Sequence, residues 1–135
     1  MSFTDGTEKK ILDHVFGGES YARPATLQVG LSLAEIQEDG SGITEPLGGY
    51  ERVSIPNDDT AWNAAMTDVE DDRGVKTNKI AIEFPEATSD WGMITHFFLA
   101  DGDTVLGHGT LHPNKEIRSG DVARFGVGEL MITLE

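Results

Sequence analysis

The stretch from Trp91 to Ala100 constrains the fold of this chain most, because it has the length of a strand and is apolar on both faces. Side chains along a strand point alternately to its two faces. The alternation separates two apolar sets, Met93, Phe97 and Leu99 on one face and Ile94, Phe98 and Ala100 on the other. Such a strand is either central in a sheet and covered twice, or covered on one face by another chain.

The stretch before it predicts a strand with a single apolar face. Ile80, Ile82 and Phe84 alternate with polar or small residues, which is typical of a half-buried strand. Pro85 ends the strand because proline has no N–H for the ladder. Together with the alternating stretches elsewhere, this predicts a core that contains Leu27, Val29, Leu31, Ile80, Ile82, Phe84, Phe97, Leu130 and Ile132.

The rest of the chain predicts further short strands separated by turns. They are expected at residues 27–33, 50–55, 105–111 and 130–134, with a second short hairpin at 116–125 after a turn at Pro113 and Asn114. Residues 35–49 are acidic and glycine-rich, and predict a surface arm or a binding loop. Residues 57–72 form either a helical turn through Trp62 and Met66 or an irregular wrap that buries Trp62. Seven or eight short strands indicate an all-β fold, a single-domain antiparallel β-sandwich of jelly-roll or Greek-key type over residues 1–135.

One short helix is predicted near the N-terminus, at about residues 5–16. Asp5 followed by Glu8 forms a capping-box pattern, and Gly17 and Gly18 end the helix. Its apolar side chains lie on one face at helical spacing. This set, hereafter the helix stripe, consists of Ile11, Leu12, Val15 and Phe16. The stripe must pack on something, either as a lid on an open end of the sheet or on a partner.

The charge balance excludes one class of partner. The chain has 24 acidic and 10 basic residues, a net charge of −14, whereas nucleic-acid binding needs clustered Lys and Arg. The acidic excess is either a solubilising surface or an adaptation to high salt, which screens self-repulsion.

The chain has no cysteine, so disulfides and Cys-based chemistry are excluded. No apolar run approaches the ~20 residues of a membrane span, and the N-terminus does not have the pattern of a signal peptide. We therefore expect synthesis in a cytoplasm and no membrane insertion.

The sequence contains no pattern that is typical of catalysis or of metal binding. His108 and His112 would lie about 13 Å apart on one strand face, too far to share a zinc ion. The acidic turns at 68–72 and 101–103 do not match a calcium-binding loop, and the nucleophile elbow and the P-loop are absent. We therefore predict no catalytic residue, no cofactor and no metal.

Five segments carry a resemblance to known proteins. They are ILDHVFGG (Ile11–Gly18), PATLQVGLSLA (Pro24–Ala34), GITEPLGGYERVSIPND (Gly42–Asp58), KTNKIAIEFPEATSDWGMITHFFLAD (Lys76–Asp101) and SGDVARFGVGELMITL (Ser119–Leu134). Together they resemble a family of small tailed-virus proteins that are generally labelled phage tail fibre proteins. The resemblance implies a virion structural protein rather than an enzyme, and it leaves open a place on the tail or on the capsid.

The expected function is therefore a non-enzymatic block of a tailed-virus particle, either a tail fibre or tail-tip component or a capsid turret or decoration subunit. We expect it to reside in the virion, to form a homo-oligomer and to contact other virion proteins. Our interface hypothesis is that Ile94, His96 and Phe98 meet the helix stripe at or beside a symmetric subunit contact. The alternative is a carbohydrate-binding module that recognises a host surface receptor or glycan through exposed aromatics, Tyr21, Tyr50 and Trp62.

Overall fold

The structure, a computed structural model that describes residues 1–134, contains one helix and ten strands in this part of the chain. The helix is α1 (Asp5–Phe16), and the strands are β1 (Ser2–Phe3), β2 (Thr26–Ser32), β3 (Val53–Pro56), β4 (Met66–Asp68), β5 (Arg73–Thr77), β6 (Ile82–Glu83), β7 (Gly92–Asp101), β8 (Thr104–Ile117), β9 (Arg124–Phe125) and β10 (Met131–Leu134). Every strand pairing is antiparallel. The prediction of an all-β fold with a short N-terminal helix is confirmed. The number of strands exceeds the expected seven or eight, partly because β1, β6 and β9 are only two residues long.

The largest sheet has five strands in the order β1-β8-β7-β2-β3, which makes β7 its middle strand. β7 and β8 form a hairpin in which Asp101 pairs with Thr104 across a two-residue loop, as the Asp-Gly-Asp sequence predicts. The other sheets are β10-β5-β4 and the ribbon β6-β9. The most apolar strand is therefore central, the first of the two arrangements that its sequence allows.

One buried cluster joins the inner face of the five-stranded sheet to the two smaller sheets. It contains Leu27, Val29 and Leu31 of β2 together with Ile82, Phe84, Phe97 and Leu130, all predicted core residues, and Ile132 packs against it. Ile80 is the exception, since it is 36% exposed. The reason is Asn78, which is 0% exposed and whose side-chain amide donates to the carbonyls of Ile80 and Gly126. The chain bends around this buried amide, so the straight alternation that would point Ile80 inward is lost.

A bulge changes the two apolar faces of β7. The pairing with β8 shifts register between Ile94 and His96, so that Thr95 alone opposes residues 111–114 of β8. A bulge reverses which side chains face the core. Ile94 therefore joins the main core, on the face opposite to Phe98, while Met93 is 47% exposed. The predicted grouping of Ile94 with Phe98 is wrong for this reason.

The outer face of the sheet is covered by residues 33–49, hereafter the cover loop. Phe98 is 0% exposed and belongs to a second cluster, which also holds Ile36, Ile43, Ala100 and Val105. The Phe98 ring fills the space that a Cβ on Gly30, its partner on β2, would need. The guanidinium of Arg52 lies 4.9 Å from the ring centroid, a cation–π distance. Residues 35–49 were expected to form a surface arm or a binding loop, but two of their apolar side chains, Ile36 and Ile43, pack against the sheet.

Two other expectations are corrected by the strand pairing, and one open alternative is decided by the structure. Residues 116–125 form no hairpin, because β9 pairs with β6 instead. Pro113 and Asn114 do not separate two strands but lie in the bulged part of β8. Of the two paths expected for residues 57–72, the structure shows the irregular one around a buried Trp62, and it adds the short strand β4. In the first two cases the local turn signal is present, but long-range pairing decides which strands meet.

Candidate functional site

The helix α1 is attached to the rest of the chain by its first turn. Thr4 is the N-cap residue, one position before the predicted Asp5, and its side chain makes no capping hydrogen bond. Its hydroxyl instead donates to the carbonyl of Val105 at 2.9 Å and lies 3.0 Å from the hydroxyl of Thr7. The backbone N–H of Asp5 donates to the carbonyl of Glu38 in the cover loop. Thr7 is the one buried residue of the helix, so the remaining turns project from this anchor.

The helix stripe is open to solvent over its second half. Leu12 is 57% exposed, Val15 58% and Phe16 84%, while Ile11 is half-buried. The expectation that the stripe forms a lid on the sheet is wrong, because the cover loop occupies that position. Three apolar side chains, spaced i, i+3 and i+4 on one helix face, therefore remain without a partner within residues 1–134.

The chain after the helix folds back along its polar side. The N–H of Tyr21 donates to Nδ1 of His14 at 3.1 Å, and the ammonium group of Lys10 lies 6.0 Å from the Tyr21 ring centroid. Tyr21 is consequently half-buried. These contacts join the helix to the segment that follows it, and they leave the apolar face of the helix exposed.

The structure separates the two halves of the predicted interface. Ile94 is 1% exposed and lies in the main core, and Phe98 lies in the second cluster under the cover loop. His96 is half-buried, and its Nδ1 lies 2.7 Å from the hydroxyl of Thr95. The helix stripe does not contribute to either buried cluster. Within one chain, β7 is interior and only the helix half of the predicted interface is available to a partner.

Two of the three aromatic side chains proposed for carbohydrate binding, Trp62 and Tyr50, are engaged inside the protein. Trp62 is 4% exposed, which contradicts its expected exposure. Tyr50 stacks on Phe84 at 6.1 Å between ring centroids and meets Trp91 edge-on at 5.5 Å. Its hydroxyl accepts from the N–H of Leu31 and donates to Glu45. These rings stabilise the core and do not form an exposed stacking platform.

A partly buried charge network ties the cover loop to the sheet. Arg52 Nε and the Tyr50 hydroxyl both donate to Oε1 of Glu45, each at 2.8 Å. Burial by itself would raise the pKa of Glu45, but these hydrogen bonds outweigh it and hold that pKa below its usual range. Burial also raises the pKa of Tyr50 well above that of a free phenol. The network keeps Glu45 ionised and so fixes the loop over the sheet.

A cleft of about 660 Å³ opens between β8 and the segment 122–129, which contains β9. Its floor consists of core side chains that are each at most 9% exposed, Leu31, Phe84, Ile94, Phe97, Ile117 and Phe125. The cleft exists because residues 111–114 bulge outward from β8 and the ribbon β6-β9 is short. Its volume is in the range of pockets that hold a ligand or several side chains.

The rim of this cleft carries cations. Lys115 and Arg124 line it, and neither forms an ion pair with a carboxylate of residues 1–134. Glu129 also lies at the rim, but its carboxylate accepts from the N–H of Gly126 at 2.7 Å. The sequence analysis missed the cleft. The signal was Pro113, because a proline within a strand indicates an edge or a bulge.

The comparison with known protein families gives a match over nearly the whole chain. A family model described as Podophage GP4 fiber I protein gp80 matches residues 2–133. The chain belongs to this family. The resemblance to phage tail fibre proteins is therefore confirmed, and the family identifies a structural protein of the virion that interacts with other virion proteins.

Two further findings accompany the family match. A search of curated proteins found no match. Within residues 1–134, α1 is too short to span a bilayer, and no helix there meets the length and hydropathy of a membrane span.

Proposed function

We propose that this protein is a non-enzymatic building block of a tailed-virus fibre, that it acts as one domain, and that its copies assemble through the helix stripe. The observation that carries the proposal is the exposure of Leu12, Val15 and Phe16 on a helix whose one buried residue, Thr7, lies in its first turn. Membership of the fibre family supports a virion role.

The energetics favour a partner on this surface. Complete burial of a Leu, Val or Phe side chain contributes about 1.5–3 kcal/mol relative to leaving it in water. A second copy is the partner that is always present at equal concentration, and closed symmetry buries the same surface on every copy. The stripe is therefore an assembly surface of a homo-oligomer.

The test is the mass of the protein in solution. Native mass spectrometry of the wild-type chain should give an oligomer, and the double variant Leu12→Ser/Phe16→Ser should give a monomer with unchanged β-type circular dichroism. Leu47→Ser is the matched control, since Leu47 is 84% exposed like Phe16 but lies in the cover loop. A monomeric wild type, or loss of the oligomer in the control alone, would contradict the assembly surface.

A second measurement addresses the virion role. Purified virus particles should contain the protein, and particles assembled with only the Leu12→Ser/Phe16→Ser variant should lack it or carry much less of it. Equal amounts of the wild type and this variant in particles would show that incorporation into the particle does not depend on the helix stripe. Absence of the wild type from particles would contradict the virion role.

A further inference from the structure

We propose that the cleft between β8 and residues 122–129 is the surface that receives the helix stripe of a second copy. This inference rests on the proposed assembly and adds the acceptor side, which the stripe alone does not define. The stripe and the cleft are different surfaces of one chain. Copies therefore join donor to acceptor, either reciprocally in a dimer or head to tail in a closed ring.

The shape of the donor fits a groove. An amphipathic helix that lies in an apolar groove uses side chains at i, i+3 and i+4 as its anchors, the spacing of Leu12, Val15 and Phe16. The acceptor has an apolar floor in which three of the six side chains are phenylalanines, and Phe97 and Phe125 lie 5.4 Å apart edge to face. Phe16, the most exposed of the three anchors, can add a ring to this group.

The charges of the two surfaces are complementary. Glu8 lies one turn before Leu12 and two turns before Val15, so its carboxylate is on the stripe side of the helix. Lys9 and Asp13 border the other edge, where two opposite charges four residues apart offset each other. Lys115 and Arg124 at the cleft rim have no carboxylate partner within residues 1–134.

This complementarity matters because the copies repel each other. Each chain carries a net charge of −14, so repulsion opposes association between copies, and a contact that joins a basic patch to an acidic one reduces that repulsion. The cleft rim holds two of the 10 basic residues of the chain. A contact that places Glu8 near this rim reduces the repulsion at the point where the apolar surfaces meet.

A helix cannot dock into the cleft of its own chain from its present anchor. Thr4 and Thr7 attach the helix beside Val105, at the hairpin end of β8, whereas the cleft lies at residues 110–117 of that strand. No residue of α1 lines the cleft. The cleft is therefore available to the helix of a neighbouring copy.

Disulfide trapping tests the contact directly, because the chain has no native cysteine. Val15→Cys in one copy and Leu111→Cys in a differently tagged copy are mixed and oxidised. We expect a covalent dimer that contains one chain of each kind on a non-reducing gel. The matched control replaces Leu111→Cys by Leu47→Cys, and we expect at least roughly tenfold less of the mixed dimer, as for sites that do not meet.

The outcomes distinguish this inference from the proposed function. If the wild type is an oligomer but the two mixtures cross-link equally, the assembly surface stands and the cleft is not its acceptor. If the wild type is a monomer, both proposals fail. A double variant Val15→Cys/Leu111→Cys that closes a disulfide within one chain would also overturn docking between copies.

Charge reversal provides an independent test. Arg124→Glu and Glu8→Lys should each weaken association about tenfold, and their combination in one chain should recover most of the loss. Lys79→Glu, an exposed cation outside the cleft, is the control and should leave association unchanged. Additive losses in the double variant would contradict the contact. Loss of incorporation into particles by Arg124→Glu, with the wild-type oligomer retained, would assign the cleft to a different virion protein.

Discussion

The strand β7 and the helix α1 both carry more apolar surface than a single core requires, but the chain treats them differently. β7 lies at the centre of the five-stranded sheet, and its outer side chains are covered by the cover loop. α1 is attached by one turn, and three of its apolar side chains stay exposed. The apolar pattern alone therefore does not distinguish an interior strand from a helix face that stays exposed. What distinguishes them is whether another segment of the same chain lies on top.

The cover loop shows how a polar segment can bury an apolar face. Most of its side chains are polar, yet Ile36 is 3% exposed, and Arg52, beyond the end of the loop, lies over the Phe98 ring. Glu45 then neutralises Arg52 at 2.8 Å. A few apolar contacts and one ion pair replace the second layer of secondary structure that such a face usually requires.

The largest difference between the two regions should appear when a phenylalanine is truncated in each. Phe98→Ala should destabilise the protein by ~3–5 kcal/mol, because it leaves a cavity under the cover loop. Phe16→Ala, the matched exposed change, should alter the stability of the monomer by only about 0.5 kcal/mol or less. Urea unfolding at low protein concentration measures both. Similar losses for the two variants would mean that the helix end is part of the folded core.

The glycine under Phe98 gives the next largest effect. A Cβ on Gly30 would overlap Cζ of Phe98, so Gly30→Ala must displace the ring at a cost of about 1–3 kcal/mol. Gly6→Ala is the control on the helix, where a Cβ meets nothing within 4 Å, and it should be neutral or slightly stabilising. Thermal melts compare the two. Equal melting temperatures for Gly30→Ala and the wild type would show that the ring is not held against β2.

The ion pair of the cover loop should give a smaller effect that depends on pH. The folded-state pKa of Glu45 is lowered, so its stabilisation is fully present above the unfolded value of about 4.3 and is lost as the pH falls through the folded pKa. Glu45→Gln should cost about 1 kcal/mol at pH 7 for this half-exposed pair. The difference from the wild type should shrink towards pH 3 in urea titrations. Glu51→Gln, an exposed neighbour, is the control; a loss for Glu45→Gln that does not change with pH would assign it to packing.

Salt should have the smallest effect on the isolated chain and should act on both regions. A net charge of −14 repels itself in dilute buffer and is screened as the ionic strength rises. The melting temperature should increase by a few degrees from dilute buffer to molar potassium chloride. Parallel melts in sulfate separate this screening from general salting-out, which strengthens apolar burial. A flat or falling series would count against adaptation to high salt.

Much of the fold follows from local patterns. The helix ends where Gly17 and Gly18 predict, and the alternation in β2 correctly places Leu27, Val29 and Leu31 in the core. These predictions succeed because the period of a strand or helix is a property of the local backbone. The candidate site was harder to predict from the sequence. The helix stripe could be found by its spacing, whereas the cleft depends on a bulge in β8 and on a ribbon whose strands are about forty residues apart in the chain.

By itself, the sequence determined the strand and helix periods, the end of α1, the acidic balance and the relation to a fibre family. Only the tertiary structure decided what lies on each apolar face. The bulge at Thr95 moved Ile94 into the main core, the amide of Asn78 turned Ile80 outward, and the cover loop rather than the helix came to lie on Phe98. The physical reason is that periodicity is set by neighbours in the chain. Coverage is set by contacts between distant segments, whose free energies local patterns do not encode.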